Sequence, residues 1–230
     1  MENSIQTRLA QIKSTLPEGV ELVAVSKTHP AEAVQAAYDA GQRIFGENKV
    51  QEMTAKSNIL PSDIQWHFIG HVQKNKIRIM APYVALIQGV GSYDTLVEID
   101  RQAKKCGRVI PCLLQLHVAT EETKFGFTIE ECTNMLEEGA WKSLTNIEIS
   151  GVMGMASNTD DQEQVAREFR TLREFFDDCK KRFFSDSPAF RTISAGMSGD
   201  YPIAIAQGSN LVRIGSSIFG ERDYSITKQQ

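Results

Sequence analysis

Residues Val20–Pro30 read VELVAVSKTHP. From Val20 to Val25 the chain is apolar and rich in β-branched residues, as a buried strand is. It stops abruptly at Ser26-Lys27-Thr28-His29-Pro30. The proline ring pushes His29 away from the helical region and suits the first position of a following helix. Lys27 is therefore expected where a buried strand emerges into a strand-to-helix loop, the place where parallel α/β folds carry their chemistry. An amine there, among apolar strand residues, is partly desolvated. Desolvation disfavours the ammonium and frees the amine to attack a carbonyl. The competing reading is a loop lysine that faces solvent, and this stretch alone does not choose between them.

The same strand-then-helix pattern repeats outward from this point. Ahead of it, Ser4–Leu16 carries Ile5, Leu9, Ile12 and Leu16 at helical spacing, an extra N-terminal helix. After it, strands are expected at 43–47, 64–69, 84–90, 109–118, 147–155, 190–194 and 211–214. Helices are expected at 31–40, 50–60, 74–80, 95–105, 130–138, 161–183 and 201–207. Gly41 and Gly107 stand where C-terminal cap glycines belong, and Thr128 with Glu131 forms a capping-box pattern. Continuous apolar strands covered by amphipathic helices imply a parallel sheet. Eight such units predict a (β/α)8 TIM barrel, an α/β fold in one domain spanning 1–230, with an open doubly wound sheet as the alternative.

Composition bounds the function. The 230 residues are 41% hydrophobic and 23% charged with a net charge of -4, so there is no electrostatic case for nucleic acid or an anionic membrane. The start, MENSIQTRLAQIKS, lacks the apolar core of a signal peptide, and no run approaches the roughly 20 apolar residues of a membrane span. Cys106, Cys112, Cys132 and Cys179 are scattered without a C-x-x-C pair, which suggests neither a disulfide frame nor a zinc site. Reduced cysteines and a cytoplasmic location are expected.

The last two loops carry a second signal. Ser194-Ala-Gly-Met-Ser-Gly-Asp200 follows strand seven, and Arg213-Ile-Gly-Ser-Ser217 follows into the loop after strand eight. Barrels often bind phosphate there. Glycines let backbone N–H groups approach an anion, serines add donors, and the short helix after Ser198 would aim its N-terminus at it. The alternative is that these residues merely build turns. In a closed barrel strand one pairs with strand eight, so an amine would stand beside a phosphate cradle. That combination suggests pyridoxal 5′-phosphate (PLP), with the lysine holding its aldehyde and the cradle its phosphate.

AVSKTHP, FGENKVQE, WHFIGHVQKNK, KFGF, SGVMGM, SAGMSGDYPIAIAQGS and VRIGSSIFGER together resemble the pyridoxal phosphate homeostasis protein family, from about Leu22 to Tyr224 and in order. This family is a single-domain relative of the alanine racemase barrel. The resemblance implies a fold-type III PLP barrel with an internal aldimine on Lys27. It implies phosphate contacts from Ser198, Gly215 and Ser216. By analogy with the racemases, Arg213 approaches the ring nitrogen, with a phosphate contact as the alternative. Asn48 is a further expected pocket residue, and Ser194 and Met153 are expected at strand ends facing the mouth. A guanidinium at the pyridine nitrogen disfavours its protonation and weakens the ring as an electron sink.

The resemblance implies a non-enzymatic protein that buffers PLP or supplies it to apo-enzymes, and so affects amino-acid and keto-acid balance. The alternative is a PLP enzyme such as an amino-acid racemase. Related racemases take a second base, a tyrosine, from a further β-rich domain across a dimer. This chain ends soon after strand eight, so that domain is not expected, and a monomer is favoured. Tyr83, Tyr93 and Tyr201 lie in regions able to reach the mouth. His67 and His71 straddle a strand end rather than one helical face, so they read as core and loop histidines, not a metal pair. His29 either tunes Lys27 or packs in its loop. Lys74–Arg78 reads as a solvated basic face, Phe169, Leu172, Phe175 and Phe176 as a covering stripe, and Glu121, Glu122 and Lys124 as residues able to form a lid.

Overall fold

Eight parallel strands close into a barrel in sequence order, β1 pairing with β2 and so on to β8, which pairs back with β1. The computed structural model describes residues 4–120 and 125–220. The expected lid residues Glu121, Glu122 and Lys124, and the tail after Arg222, lie outside the described residues. The strands are β1 Glu21–Val25, β2 Ile44–Glu47, β3 Gln65–Phe68, β4 Leu86–Val90, β5 Ile110–Leu116, β6 Ile147–Gly154, β7 Thr192–Ser194 and β8 Leu211–Ile214. The helices are α1 Ile5–Thr15, α2 Ala31–Asp39, α3 Val50–Ser57, α4 Lys74–Met80, α5 Tyr93–Lys105, α6 Ile129–Glu138, α7 Gln162–Arg182, α8 Tyr201–Ala206 and α9 Ser216–Phe219. The (β/α)8 barrel with an extra N-terminal helix is therefore the fold, and the open sheet is not.

Alternation along the strands sorts side chains into two cores. Leu22 and Ala24 of β1 pack outward with Leu9, Val34 and Ala37 of the helices. Val23 and Val25 point the other way and meet Leu86, Leu113, Met153 and Leu211 inside the barrel. The stripe on α7 behaves as expected: Phe169, Leu172, Phe175 and Phe176 are all buried against the sheet, each contributing roughly 1.5–3 kcal/mol of burial. Thr128 and Glu131 form the expected capping box on α6. Pro30 is the N-cap of α2 rather than its first helical residue.

Two features lay outside the sequence reading. The β5–β6 register shifts between Cys112 and Leu113, where Gly151 carries φ +149°. A Cβ on Gly151 would lie 1.9 Å from the Thr192 carbonyl oxygen, so only glycine fits the approach of β7. The second is α9, a single helical turn immediately after β8. The N-terminal helix holds it in place: Arg8 Nε donates to the Ile218 carbonyl at 2.6 Å.

Candidate functional site

The turn after β1 is built from several directions. Pairing with β2 continues one residue past the strand, with Ser26 N–H donating to the Gly46 carbonyl at 3.0 Å. The buried Ser26 hydroxyl donates to Glu47 Oε1 at 2.6 Å. The chain then reverses through Lys27 and Thr28. Thr28 adopts φ +68°, a left-handed conformation that costs a β-branched residue about 1–3 kcal/mol. Its N–H donates to Glu52 Oε1 at 2.7 Å. The His29 ring stacks on Phe219 of α9, centroids 5.2 Å apart. Lys27 is half-buried at the crest of this turn.

The strands on either side bring the other predicted residues to it. Val23 pairs with Arg213 and Ala24 with Ile214 across β1 and β8. Gly215 follows, so close to β1 that a Cβ on it would lie 3.0 Å from the Val25 carbonyl oxygen. Ser216 opens α9. On the opposite side Val25 pairs with Gly46 of β2, and Asn48 comes just after that strand, half-buried. Ser198 lies in the loop after β7, also half-buried. Asp200 occupies the N-cap of α8 and its Oδ1 accepts from Met197 N–H at 2.5 Å. A carboxylate thus already stands at the helix end that the sequence reading aimed at an anion.

Three predicted residues belong to the buried layer beneath. Met153 pairs with Ser194 across β6 and β7, and both are buried. Arg213 is buried too; its Nη1 donates to Ser194 Oγ at 2.6 Å and its Nη2 to the Gly154 carbonyl at 3.0 Å. The chain of donors runs on. Ser194 Oγ donates to Gln88 Oε1 at 2.7 Å, and Gln88 Nε2 meets His67 Nδ1 at 3.0 Å. One directional hydrogen-bond line therefore crosses the barrel interior from β8 through β7 and β4 to β3. Gln88 was not singled out from the sequence; the available signal was a lone amide in the apolar run Val84–Val90. Burial pushes the Arg213 guanidinium down to about 10, with Asp200 raising it, so it stays cationic at neutral pH.

The direction of that line fixes His67 as a neutral acceptor. A proton on Nδ1 would face the Gln88 amide N–H and require that amide to flip, leaving Ser194 Oγ to accept from both Arg213 and Gln88 and its own proton without the Gln88 acceptor. Burial accordingly pushes His67 down to about 3. An unfolded histidine takes up its proton near pH 6.5, so the unfolded state binds more protons between about 6.5 and 3, and stability falls on acidification, by up to about 5 kcal/mol. Glu47 acts oppositely: burial raises it to about 7 against the pull of Lys56, so its contribution grows as pH falls from about 7 to its unfolded value near 4.5. We expect stability to change little between pH 6.5 and 4.5 and to drop steeply below. Denaturant melts of His67→Gln should show a shallower drop below pH 4.5; an identical pH slope would refute the assignment.

The remaining candidates separate from the site. His71 is exposed and stacks on Phe125 at 4.0 Å, away from His67. No group of three or more His, Cys, Asp or Glu able to hold a metal occurs among the described residues. The Tyr83 hydroxyl bonds Thr54 of α3 at 2.7 Å, and the Tyr201 hydroxyl bonds Thr15 of α1 at 3.1 Å. Lys74 pairs with Asp94 at 3.3 Å, both exposed, as a solvated face does. The four cysteines are free thiols, and no helix among the described residues is long and apolar enough to cross a membrane.

The closed parallel barrel falls in a known class: residues 2–223 match the family described as alanine racemase, N-terminal domain. At finer resolution, the chain belongs to the pyridoxal phosphate homeostasis protein family. The protein of that name from Vibrio alginolyticus is 35% identical over 97% of this chain and 100% of its own length. The one from Aquifex aeolicus is 35% identical over 89% of this chain and 88% of its own. PipY of Synechococcus elongatus, solved with PLP bound, matches with a TM-score of 0.84 at 34% identity, covering 94% of this chain and 100% of PipY. Alanine racemase of Clostridium difficile shares the fold, with a TM-score of 0.76 at 14% identity, and this chain spans 58% of it.

Proposed function

We propose that this protein binds PLP reversibly and serves intracellular PLP homeostasis, buffering the cofactor or delivering it to PLP-dependent apo-enzymes in the cytoplasm. One observation carries the reading: the Lys27 turn and the Gly215–Ser216 turn end adjacent, hydrogen-bonded strands. The residues fit the cofactor. A half-buried lysine follows β1, a glycine whose backbone lies in close contact with β1 and two serines can meet a phosphate, and a buried guanidinium is carried by β8. PLP, when bound, supplies an aldehyde that condenses with an amine as a Schiff base, releasing water. Lys27 would hold that aldehyde; Ser198, Gly215 and Ser216 the phosphate; Arg213 the ring nitrogen side; and Asn48 the pocket wall. Ser194 and Met153 support Arg213 and the pocket floor from within the barrel.

A carrier is favoured over an enzyme. The relatives named for PLP homeostasis match this chain over most or all of their length. A racemase also needs a second base facing the cofactor; the Tyr83 and Tyr201 hydroxyls are tied to peripheral helices, which leaves Tyr93, the first residue of α5, as the tyrosine whose substitution the exchange assay should include. The test is to reconstitute with PLP, reduce with borohydride, and map the pyridoxyl adduct by mass spectrometry. It should fall on Lys27, and an adduct elsewhere overturns the site. Holoprotein incubated with amino acids in deuterated water should show no multiple-turnover exchange at the α-carbon; sustained exchange would establish an enzyme.

A further inference from the structure

Lys56, on the last turn of α3, is a buried lysine that the cofactor pocket does not use. Its Nζ makes three hydrogen bonds: to the Ser26 carbonyl at 2.8 Å, to Glu47 Oε1 at 2.7 Å and to Glu52 Oε1 at 2.8 Å. An ammonium has three donors, so its capacity is filled. Glu52 Oε1 in turn accepts the Thr28 N–H at 2.7 Å. The Ser26 carbonyl and the Thr28 N–H belong to the two peptide groups that flank Lys27. One i,i+4 ion pair on one helix therefore grips the backbone on both sides of a single residue.

The turn needs such a grip. Thr28 sits at φ +68°, which a β-branched residue disfavours. Among the described residues its buried hydroxyl has no hydrogen-bond partner, so the side chain does not hold the turn. Glu47, fully buried on β2, anchors the arrangement by accepting both Lys56 and the Ser26 hydroxyl through one oxygen. The ion pair thus links the end of β2, the start of α3 and the crest of the β1 turn.

We propose that Glu52 and Lys56 form a peptide clamp that positions the Lys27 amine, making both of them positioning residues for PLP attachment. This rests on Lys27 as the attachment point. The geometry gives the clamp a purpose distinct from general stability. The amine must reach an aldehyde whose phosphate is held by turns on β7 and β8, so the Lys27 backbone must be fixed relative to them. A turn released from α3 can relax out of the left-handed conformation at Thr28 and swing the amine away.

The test compares Glu52→Ala with wild type by two readouts: hydrogen exchange of the Thr28 amide in apoprotein, and PLP affinity from the absorbance of the condensed cofactor. We expect amide exchange to accelerate tenfold or more and affinity to fall about tenfold, with the melting transition still cooperative. Glu52→Gln, which keeps an acceptor for the Thr28 N–H, should recover most of both. Lys56→Met leaves Glu47 buried without its cation and risks unfolding, so Lys56→Arg serves as the partner variant, expected to retain the ion pair and most of the affinity. Wild-type exchange and affinity in Glu52→Ala would overturn the clamp. If wild type itself gives no pyridoxyl adduct on Lys27, the functional reading fails, and the exchange measurement still decides whether α3 holds the turn.

Discussion

We expect Lys27→Ala to leave no borohydride-stable pyridoxyl adduct on the chain. Lys27 is the lysine carried by the turn after β1, and that turn's neighbours on the adjoining strands are the Gly215–Ser216 turn and Asn48. On the proposed assignment, removing the Lys27 amine would delete the covalent link and leave the phosphate contacts, so weak binding should survive. We expect PLP affinity to drop at least a hundredfold, about 3 kcal/mol, and the absorbance of the condensed cofactor to revert to that of the free aldehyde. The fold should persist, because the turn is held by its peptide groups through Lys56 and Glu52 and by Ser26 through Glu47. Circular dichroism and a thermal melt check this. A variant that fails to fold would make Lys27 a structural residue, and a variant that still traps PLP at another lysine would move the site.

The barrel was legible because each strand is a short apolar run and each of the first seven is followed by a patterned helix. Strand ends were less so. The strand expected at 84–90 begins only at Leu86, and the one expected at 190–194 only at Thr192, although Ala85 N–H still donates to the Trp66 carbonyl at 2.8 Å and Arg191 N–H to the Ser150 carbonyl at 3.0 Å. The turn α9 was hidden in VRIGSSIFG, where Gly and Ser read as loop. Lys27 and the β7–β8 turns stood out since their residue types are unusual at those places. Gln88 and Lys56 did not. A glutamine in an apolar strand signals only that something polar is inside, and Glu52 with Lys56 looks like an ordinary surface i,i+4 pair. Their roles depend on burial and on partners 106 and 30 residues away in sequence, which no local pattern encodes.

Arg213 carries the second large effect, and it acts on two things at once. Its guanidinium donates to Ser194 and to the Gly154 carbonyl, and Ser194 passes the line to Gln88 and His67. Arg213→Gln removes a buried charge and at least one of two charged hydrogen bonds, each contributing about 1.5–3 kcal/mol, so urea melts should show a loss of about 2–4 kcal/mol. Arg213→Lys keeps the charge without the planar fork and should lose about as much stability. The two variants divide on the cofactor. If the guanidinium lies by the ring nitrogen, its charge is what keeps that nitrogen unprotonated. Then Gln should shift the cofactor absorbance and Lys should hold it near wild type. With the positive charge gone, the ring becomes a better electron sink, and slow α-proton exchange on added amino acids should appear in Gln alone. If Arg213 instead met the phosphate, Gln would weaken binding, Lys would keep most of it, and neither would retune the chromophore. Unchanged absorbance and affinity in Arg213→Gln would remove Arg213 from the cofactor altogether and leave it as the buried end of an interior hydrogen-bond line.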